Sequence, residues 1–256
     1  MLLEIEGLNL RFSGLHAVRD FRLHVPKGSL SGIIGPNGAG KTTVFNLITG
    51  VYKPDSGDIR LEGKSLVGLQ PSQIVARGVA RTFQNIRLFK DLTVLDNVRI
   101  AHYQTAGYGL WPAFLRLAGV QRREDAITEQ SMALLEVFDL AHLALEPAKS
   151  LPYGAQRKLE IARALATKPK LLLLDEPAAG MNPAEVVQLG ELIQDLRKRF
   201  DVTVLLIEHQ MKMVMSICER LTVLDFGQVI AEGVPEEIRT NQRVLEAYLG
   251  RGVTLA

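Results

Sequence analysis

The amino-acid sequence predicts an α/β fold in which helices cover a buried parallel sheet. Three largely apolar runs, each the length of a buried strand, support this prediction; they lie at residues 30–34, 171–174 and 202–207. Between about 85 and 150 the pattern is helical instead. The predicted α/β core is therefore interrupted by a helical insertion.

The first 34 residues are predicted to be rich in β-structure. Phe21, Leu23 and Val25 alternate with polar residues, which is the pattern of a half-buried strand, and a turn is expected at residues 26–28. Further along, the sequence predicts a turn at 54–57, a strand at 58–63, a short helix at 71–77 and a strand at 79–84.

Helices are predicted through the middle of the chain, and α/β alternation returns after residue 171. Thr93 is suited to cap a helix at 94–101, and an amphipathic helix is expected at 122–138. Residues 107–115 hold the only tryptophan, Trp111, and are expected either to pack on the helical region or to contact a partner. The last third predicts a helix after Asn182, a strand at 221–225, a turn at Gly227 and short helices within 235–249.

The composition is that of a soluble globular protein. The 256 residues are 47% hydrophobic and 23% charged, and the net charge of +2 is too small to indicate a nucleic-acid partner. The single cysteine, Cys218, excludes an intramolecular disulfide and is expected to be a buried apolar residue in a reducing compartment. We find neither a signal peptide nor an apolar run of 18 residues, so we expect a cytoplasmic protein that does not itself cross a membrane.

A glycine-rich loop between a predicted strand and a predicted helix is the strongest functional signal. It follows the phosphate-loop pattern of glycine, four residues and Gly-Lys-Thr. Glycines let backbone N–H groups turn inward around phosphate oxygens, and the helix that begins near Lys41 adds its positive dipole end. Lys41 supplies a charge for the β- and γ-phosphates and Thr42 a hydroxyl for Mg²⁺, so we expect a nucleoside triphosphate to bind here. The candidate binding residues are Gly35, Pro36, Asn37, Gly38, Ala39, Gly40, Lys41, Thr42 and Thr43.

Two carboxylates come directly after the apolar run at 171–174. Asp175 and Glu176 are therefore expected at the carboxyl end of a buried strand, where ligands bind in open α/β sheets. We expect Asp175 to hold Mg²⁺, directly or through water, and Glu176 to orient and deprotonate the water that attacks a γ-phosphate. The alternative is a solvated strand end before a turn at Pro177.

These two motifs, together with others in order along the chain, resemble the ABC-type ATPases. Gln84 matches the Q-loop of that family, residues 151–156 (Leu-Pro-Tyr-Gly-Ala-Gln) its signature, residues 178–183 its D-loop, and His209 its switch histidine. The resemblance covers nearly all of the chain. It implies a P-loop NTPase core at residues 1–84 and 161–256 with an N-terminal antiparallel β-subdomain, and an inserted helical subdomain at 85–160 that carries the signature.

The resemblance implies a role for each matching residue. Glu176 would be the general base, His209 would contact the γ-phosphate and position Glu176, and Gln84 would ligate Mg²⁺ or the attacking water. Upstream, Phe12 either stacks on the adenine ring or is a core residue of an early strand, and its spacing leaves both interpretations open.

The signature departs from the family's usual Leu-Ser-Gly-Gly-Gln. Pro152 replaces the serine, so no hydroxyl is offered there to a γ-phosphate, while Gly154 is retained near the start of a predicted helix. In this family the signature completes the nucleotide site on the opposite subunit of a head-to-tail dimer. Tyr153, Gly154 and Gln156 are therefore candidate nucleotide-binding residues, and we expect the site that they complete to be functional but weaker.

Runs at 153–165, 177–183 and 244–250, with the insertion around Trp111, are similar to the ATP-binding subunit of bacterial branched-chain amino-acid importers. This implies an ATPase that uses ATP and Mg²⁺ at the inner face of the cell membrane. The implied partners are a second ATPase subunit, identical or different, membrane permease subunits and, indirectly, a periplasmic solute-binding protein. The alternatives are a lipopolysaccharide-export ATPase and a soluble iron–sulfur assembly ATPase without a permease.

Overall fold

The computed structural model describes residues 1–105 and 118–249. The chain divides into two compact units, the first of Met1–Arg81 and Lys170–Ala256, the second of Thr82–Pro169. The second unit begins at Thr82, three residues before the expected position 85. It ends at Pro169, nine residues after the expected position 160, because the whole of the helix Tyr153–Ala166 belongs to it. None of the described helices is long and apolar enough to cross a membrane. The predicted segment around Trp111 lies outside the described residues.

Two sheets form the framework of the first unit. The antiparallel sheet has the strand order β2-β1-β4-β5, with β1 Leu3–Phe12, β2 Leu15–Val25, β4 Ser56–Leu61 and β5 Lys64–Ser65. The six-stranded sheet has the order β10-β9-β3-β8-β7-β6, with β3 Leu30–Ile34, β6 Val79–Arg81, β7 Leu171–Asp175, β8 Thr203–Ile207, β9 Arg220–Asp225 and β10 Gln228–Gly233. All its pairings are parallel except that of β9 with β10.

The centre of the six-stranded sheet is the core of the first unit. Every residue of β3, β7 and β8 is buried, as the three apolar runs predicted. The helices of this unit are α1 Lys41–Ile48, α2 Pro71–Ala76, α6 Pro183–Arg199, α7 Met211–Ile217, α8 Pro235–Thr240 and α9 Gln242–Leu249. The helix predicted after Asn182 is confirmed, and the Asn182 side chain caps it by accepting from the backbone N–H groups of Ala184 and Glu185 at 3.0 Å each.

The second unit is helical, as expected. It contains α3 Val94–Thr105, α4 Ala118–Val137 and α5 Tyr153–Ala166, with short 3₁₀ turns at Ala141–Leu143 and Ala148–Ser150. The hydroxyl of Thr93 accepts from the backbone N–H of Asp96 at 3.0 Å, which confirms the predicted cap. Leu134, Leu135 and Phe138 are buried, which confirms the apolar face predicted for the second helix.

Three local differences have physical causes. The strand predicted at 79–84 ends at Arg81, where the chain passes into the second unit. Strand β10 was not predicted because it lies at the sheet edge and is only partly buried, and α7 was not predicted because it is too short to give a clear helical pattern.

The prediction for Cys218 is confirmed: the side chain is buried, and burial raises the pKa of its thiol.

The sheet centre gives a stability prediction. Leu205 lies in β8, which pairs with β3 on one side and β7 on the other, and its side chain is fully buried. Leu205→Ala should lower the free energy of unfolding by about 2–5 kcal/mol, because it leaves a cavity in a packed core. The control Val187→Ala, at a residue 61% exposed on α6, should change it by less than about 0.5 kcal/mol. Urea unfolding followed by circular dichroism measures both, and equal losses would contradict the prediction.

Candidate active site

The phosphate loop joins β3 to α1. At two of its positions the backbone conformation and the nearby atoms allow only glycine. Gly35 and Gly40 have φ angles of 147° and 102°. A Cβ atom at Gly35 would lie 2.0 Å from the carbonyl oxygen of Leu224, and one at Gly40 would lie 2.5 Å from that of Ala17. These glycines therefore allow the loop to curl tightly against neighbouring backbone, as a phosphate cradle requires.

Lys41, the first residue of α1, is a buried cation inside this loop. Its ammonium group donates to the carbonyl oxygens of Gly35 at 2.7 Å and Pro36 at 2.9 Å. Burial lowers the pKa of Lys41, and the negative charges of Glu176 and Asp175 oppose that shift. Thr42 is exposed on the same first turn. A full charge, a hydroxyl and the positive end of a helix thus meet at the loop, which suits an anionic ligand.

Sheet order brings the other predicted residues of the first unit to the same edge. The phosphate loop follows β3, Asp175 and Glu176 lie at the end of β7, and His209 follows β8, which pairs with both strands. Asp175 is buried, and Nδ1 of His209 lies 3.8 Å from a carboxylate oxygen of Glu176. The structure therefore places His209, the predicted switch histidine, beside Glu176, the predicted base.

Glu176 has an unusual backbone conformation. Its φ angle is 47°, in the left-handed region that residues with side chains rarely adopt, and its N–H group donates to the carbonyl oxygen of Ile207 at 2.8 Å. Such conformations cost free energy and cluster at functional sites. The turn directs the chain away from β7 immediately after Asp175.

Glu208 is a buried acid that sequence reasoning missed. Its carboxylate accepts from the backbone N–H groups of Ala178 at 2.8 Å, His209 at 2.8 Å and Gln210 at 3.0 Å. It therefore ties the D-loop, which begins at Ala178, to the loop that carries His209. Its place directly after an apolar run, like that of Asp175, was the available signal.

Phe12 lies at the end of β1 and is 42% exposed, so it is not a core residue. Its ring meets that of Tyr52 edge to face, with centroids 5.2 Å apart. Of its two interpretations, stacking on adenine stays a prediction.

Gln84 and the signature belong to the second unit. Helix α5 begins at Tyr153, directly after Pro152, and both residues are exposed. The Gln156 side chain is turned back onto its own loop, since its amide donates to the carbonyl oxygen of Leu151 at 2.8 Å. The roles of Tyr153, Gly154 and Gln156 towards a nucleotide stay predictions.

A buried ion pair on α5, also missed by sequence reasoning, holds the Q-loop backbone. Arg157 donates to the carbonyl oxygen of Phe83 at 2.6 Å and to that of Gln84, and it pairs with Glu160 at 3.1 Å. Glu160 in turn accepts from the N–H groups of Phe83 at 3.4 Å and Arg87 at 3.2 Å. The signature helix and the Q-loop are therefore linked within the second unit.

A phosphate loop with a buried lysine, at the same sheet edge as an Asp-Glu pair two strands away, defines a nucleotide-binding ATPase of the P-loop class. Comparison with known families narrows this class: residues 18–179 match the ABC transporter family, and residues 228–254 match the branched-chain amino acid ATP-binding cassette transporter family. The chain belongs to the ABC transporter family, as an ATP-binding and ATP-hydrolysing subunit.

Individual relatives agree with this assignment. The high-affinity branched-chain amino acid transport ATP-binding protein LivG of Salmonella typhimurium is 47% identical over 249 residues, which cover 97% of this chain and 98% of LivG. The lipopolysaccharide export system ATP-binding protein LptB of Haemophilus influenzae is 34% identical, with 97% of each chain covered. Among solved structures, the ADP conformation of MJ1267, an ATP-binding cassette of an ABC transporter, matches with a TM-score of 0.85 and 32% identity, covering 98% of this chain and 99% of that one. The predicted family resemblance and fold class are confirmed.

The geometry of Gly40 predicts the effect of adding one methyl group to the loop. Gly40→Ala should abolish measurable nucleotide binding, because the added Cβ would overlap the backbone at Ala17. The control Gly63→Ala has a similarly positive φ of 74° but meets nothing within 4 Å, so its binding should match wild type. Equilibrium titration with a fluorescent ATP analogue measures both, and normal binding by Gly40→Ala would contradict this account of the loop.

Proposed function

We propose that this chain is the ATPase subunit of an importer for branched-chain or other hydrophobic amino acids. The observation that carries the proposal is 47% identity over nearly the whole chain to a branched-chain amino acid transport ATP-binding protein. The match at residues 228–254 to the corresponding family supports it independently of the phosphate loop. The lipopolysaccharide-export relative is more distant, at 34% identity, which favours import of amino acids.

The first unit provides the groups for hydrolysis of a γ-phosphate. Glu176 would act as the general base, which is worth about 10²–10⁴ in rate, or about 3–5 kcal/mol of barrier. His209, 3.8 Å from that carboxylate, would hold it in place and contact the phosphate. Lys41 would give up its contacts with the loop carbonyls to pair with the β- and γ-phosphates.

The residues also fit a magnesium ion bound together with the nucleotide. Thr42 has an exposed hydroxyl at the start of α1, and Asp175 is a carboxylate at the end of β7 in the same unit. Gln84, in the second unit, stays a ligand that only the family resemblance implies. When bound, Mg²⁺ supplies positive charge to the phosphate oxygens. The described residues contain no cluster of three or more His, Cys, Asp or Glu side chains suited to a metal. The proposed site instead uses two or three oxygen ligands and the phosphates, as is usual for Mg²⁺.

The proposed active state is a dimer in which each signature faces the partner's nucleotide. The exposed start of α5, with its backbone N–H groups and its dipole, supports this arrangement. Tyr153, Gly154 and Gln156 would contact the nucleotide across the interface. Permease subunits would hold the dimer at the inner face of the membrane and receive solute from a periplasmic binding protein.

The chemical part of the proposal predicts a separation of binding from turnover. Glu176→Gln should lower the ATPase rate by at least about 100-fold, because an amide cannot accept the proton of water, while ATP affinity stays near wild type. The control Glu191→Gln, at an exposed residue of α6, should leave both unchanged. Phosphate release and equilibrium ATP binding measure the two quantities. Full hydrolysis by Glu176→Gln would reject Glu176 as the base.

The transport part is tested by the partners of the tagged chain in its own cells. Purification from detergent extracts should recover membrane permease subunits, and loss of the chain should lower uptake of labelled leucine. Recovery with soluble scaffold proteins and no permease would favour the iron–sulfur assembly alternative. If cells that lack the chain take up leucine normally but are impaired in lipopolysaccharide export, the alternative of a lipopolysaccharide-export ATPase would be favoured.

The altered signature gives a further prediction. Pro152 precedes α5 without a side-chain cap, and serine at this position both caps helices and offers a hydroxyl to the partner's γ-phosphate. Pro152→Ser should therefore keep or raise the ATPase rate and stabilise the protein by about 0.5–2 kcal/mol. ATPase assays and thermal unfolding check both effects, and a loss of activity would overturn the view that Pro152 weakens the site.

A further inference from the structure

Arg81 is a buried cation at the end of β6, and it is not one of the groups proposed to act in hydrolysis. Its side chain is 5% exposed and pairs with Asp175, 2% exposed, at 2.7 Å from Nη2 to Oδ2. Its other terminal nitrogen, Nη1, donates to Oδ1 of Asn46 at 2.7 Å and to the hydroxyl of Thr49 at 3.3 Å. One guanidinium group therefore joins β7 to α1.

The contacts on α1 lie on the face that carries Thr42. Phe45 and Asn46 follow Thr42 by three and four positions on α1, and Thr49, which caps the end of this helix, follows it by seven. This spacing places all four residues along one side of the helix. The guanidinium carbon lies 5.5 Å from the centre of the Phe45 ring, so it packs on this face as well as bonding to it. Arg81 thus braces the Thr42 side of α1 against the carboxylate of Asp175.

Neither stability nor direct phosphate binding explains this arrangement. A buried ion pair gains little stability over apolar packing, because both charges lose their hydration. A cation that contacts phosphate needs an accessible head group, whereas both terminal nitrogens of Arg81 donate to protein oxygens and the side chain is almost fully buried. Lysine could not make the same bridge, since only the planar fork of arginine donates in two fixed directions.

We propose that Arg81 is a positioning residue that sets the spacing between Thr42 and Asp175, the two groups of the first unit that would hold Mg²⁺. This inference rests on the proposed magnesium site and assigns that site a supporting residue. With Arg81 in place, the hydroxyl and the carboxylate are held at a fixed separation before metal arrives. Without it, α1 and the end of β7 lose the bond that joins them, and Asp175 keeps a buried charge with its arginine partner removed.

Binding of a fluorescent ATP analogue, with a Mg²⁺ titration and in EDTA, separates this role from general damage to the phosphate loop. The variants are Arg81→Met, which removes the bridge, Arg81→Lys, which keeps the charge but not the fork, and Asn46→Ala, which removes one bond on α1. The matched control is Arg60→Met, because Arg60 pairs with Asp58 at the same distance of 2.7 Å, at an exposed position of the antiparallel sheet.

In Arg81→Met, the Mg²⁺ concentration that supports nucleotide binding should rise by about 10- to 100-fold, as is typical when a group that orients a metal ligand is lost. Binding in EDTA should stay near wild type. Arg81→Lys should recover part of the loss, Asn46→Ala should shift in the same direction by less, and Arg60→Met should match wild type.

Folded variants with wild-type Mg²⁺ dependence would overturn the role of Arg81, as would equal losses with Mg²⁺ and in EDTA. If Arg81→Met fails to fold, Arg81→Lys and Asn46→Ala decide by the same criteria. A wild-type chain whose binding ignores Mg²⁺ would instead overturn the proposed magnesium site itself, and the role of Arg81 with it.

Discussion

The parallel pairing of β8 with β3 on one side and β7 on the other is the constraint on which the first unit's site depends. Parallel neighbours end at the same edge of a sheet, so residues distant in sequence meet there without any further device. Lys41, Glu176 and His209 come from three separate stretches of chain and follow these three strands. A slip in this register would displace each group from the others while leaving every local motif intact.

The same edge concentrates buried charge, and each buried group is matched by a different kind of partner. The ammonium group of Lys41 donates to carbonyl oxygens. The carboxylate of Asp175 accepts from a guanidinium group, and that of Glu208 accepts from backbone N–H groups. Burying a charge without such partners would cost several kcal/mol. Because each buried charge has its own hydrogen-bonding partner, several ionised groups can lie close together at the edge where a highly charged ligand would bind.

The parts that could be predicted from the sequence are those written in short local patterns. The strand at 30–34, the glycine loop and the Asp-Glu pair each occupy fewer than ten consecutive residues, and the family resemblance added Gln84 and His209 by order. The role of Arg81 could not be predicted, because its partner Asp175 is 94 positions away and a single arginine at the end of a short strand has no local signature. Glu208 and the Arg157–Glu160 pair were missed for a different reason: most of their partners are backbone groups, which side-chain patterns do not encode.

The boundary between the two units falls between two such buried arginines. Arg81 is fixed to α1 and β7 in the first unit, while the carbonyls of Phe83 and Gln84 are held by Arg157 in the second. Only Thr82 separates these anchored positions along the chain. The backbone at Gln84 therefore cannot shift without either carrying Arg157, and with it the signature helix, or breaking buried hydrogen bonds to a charged donor, each worth about 1.5–3 kcal/mol.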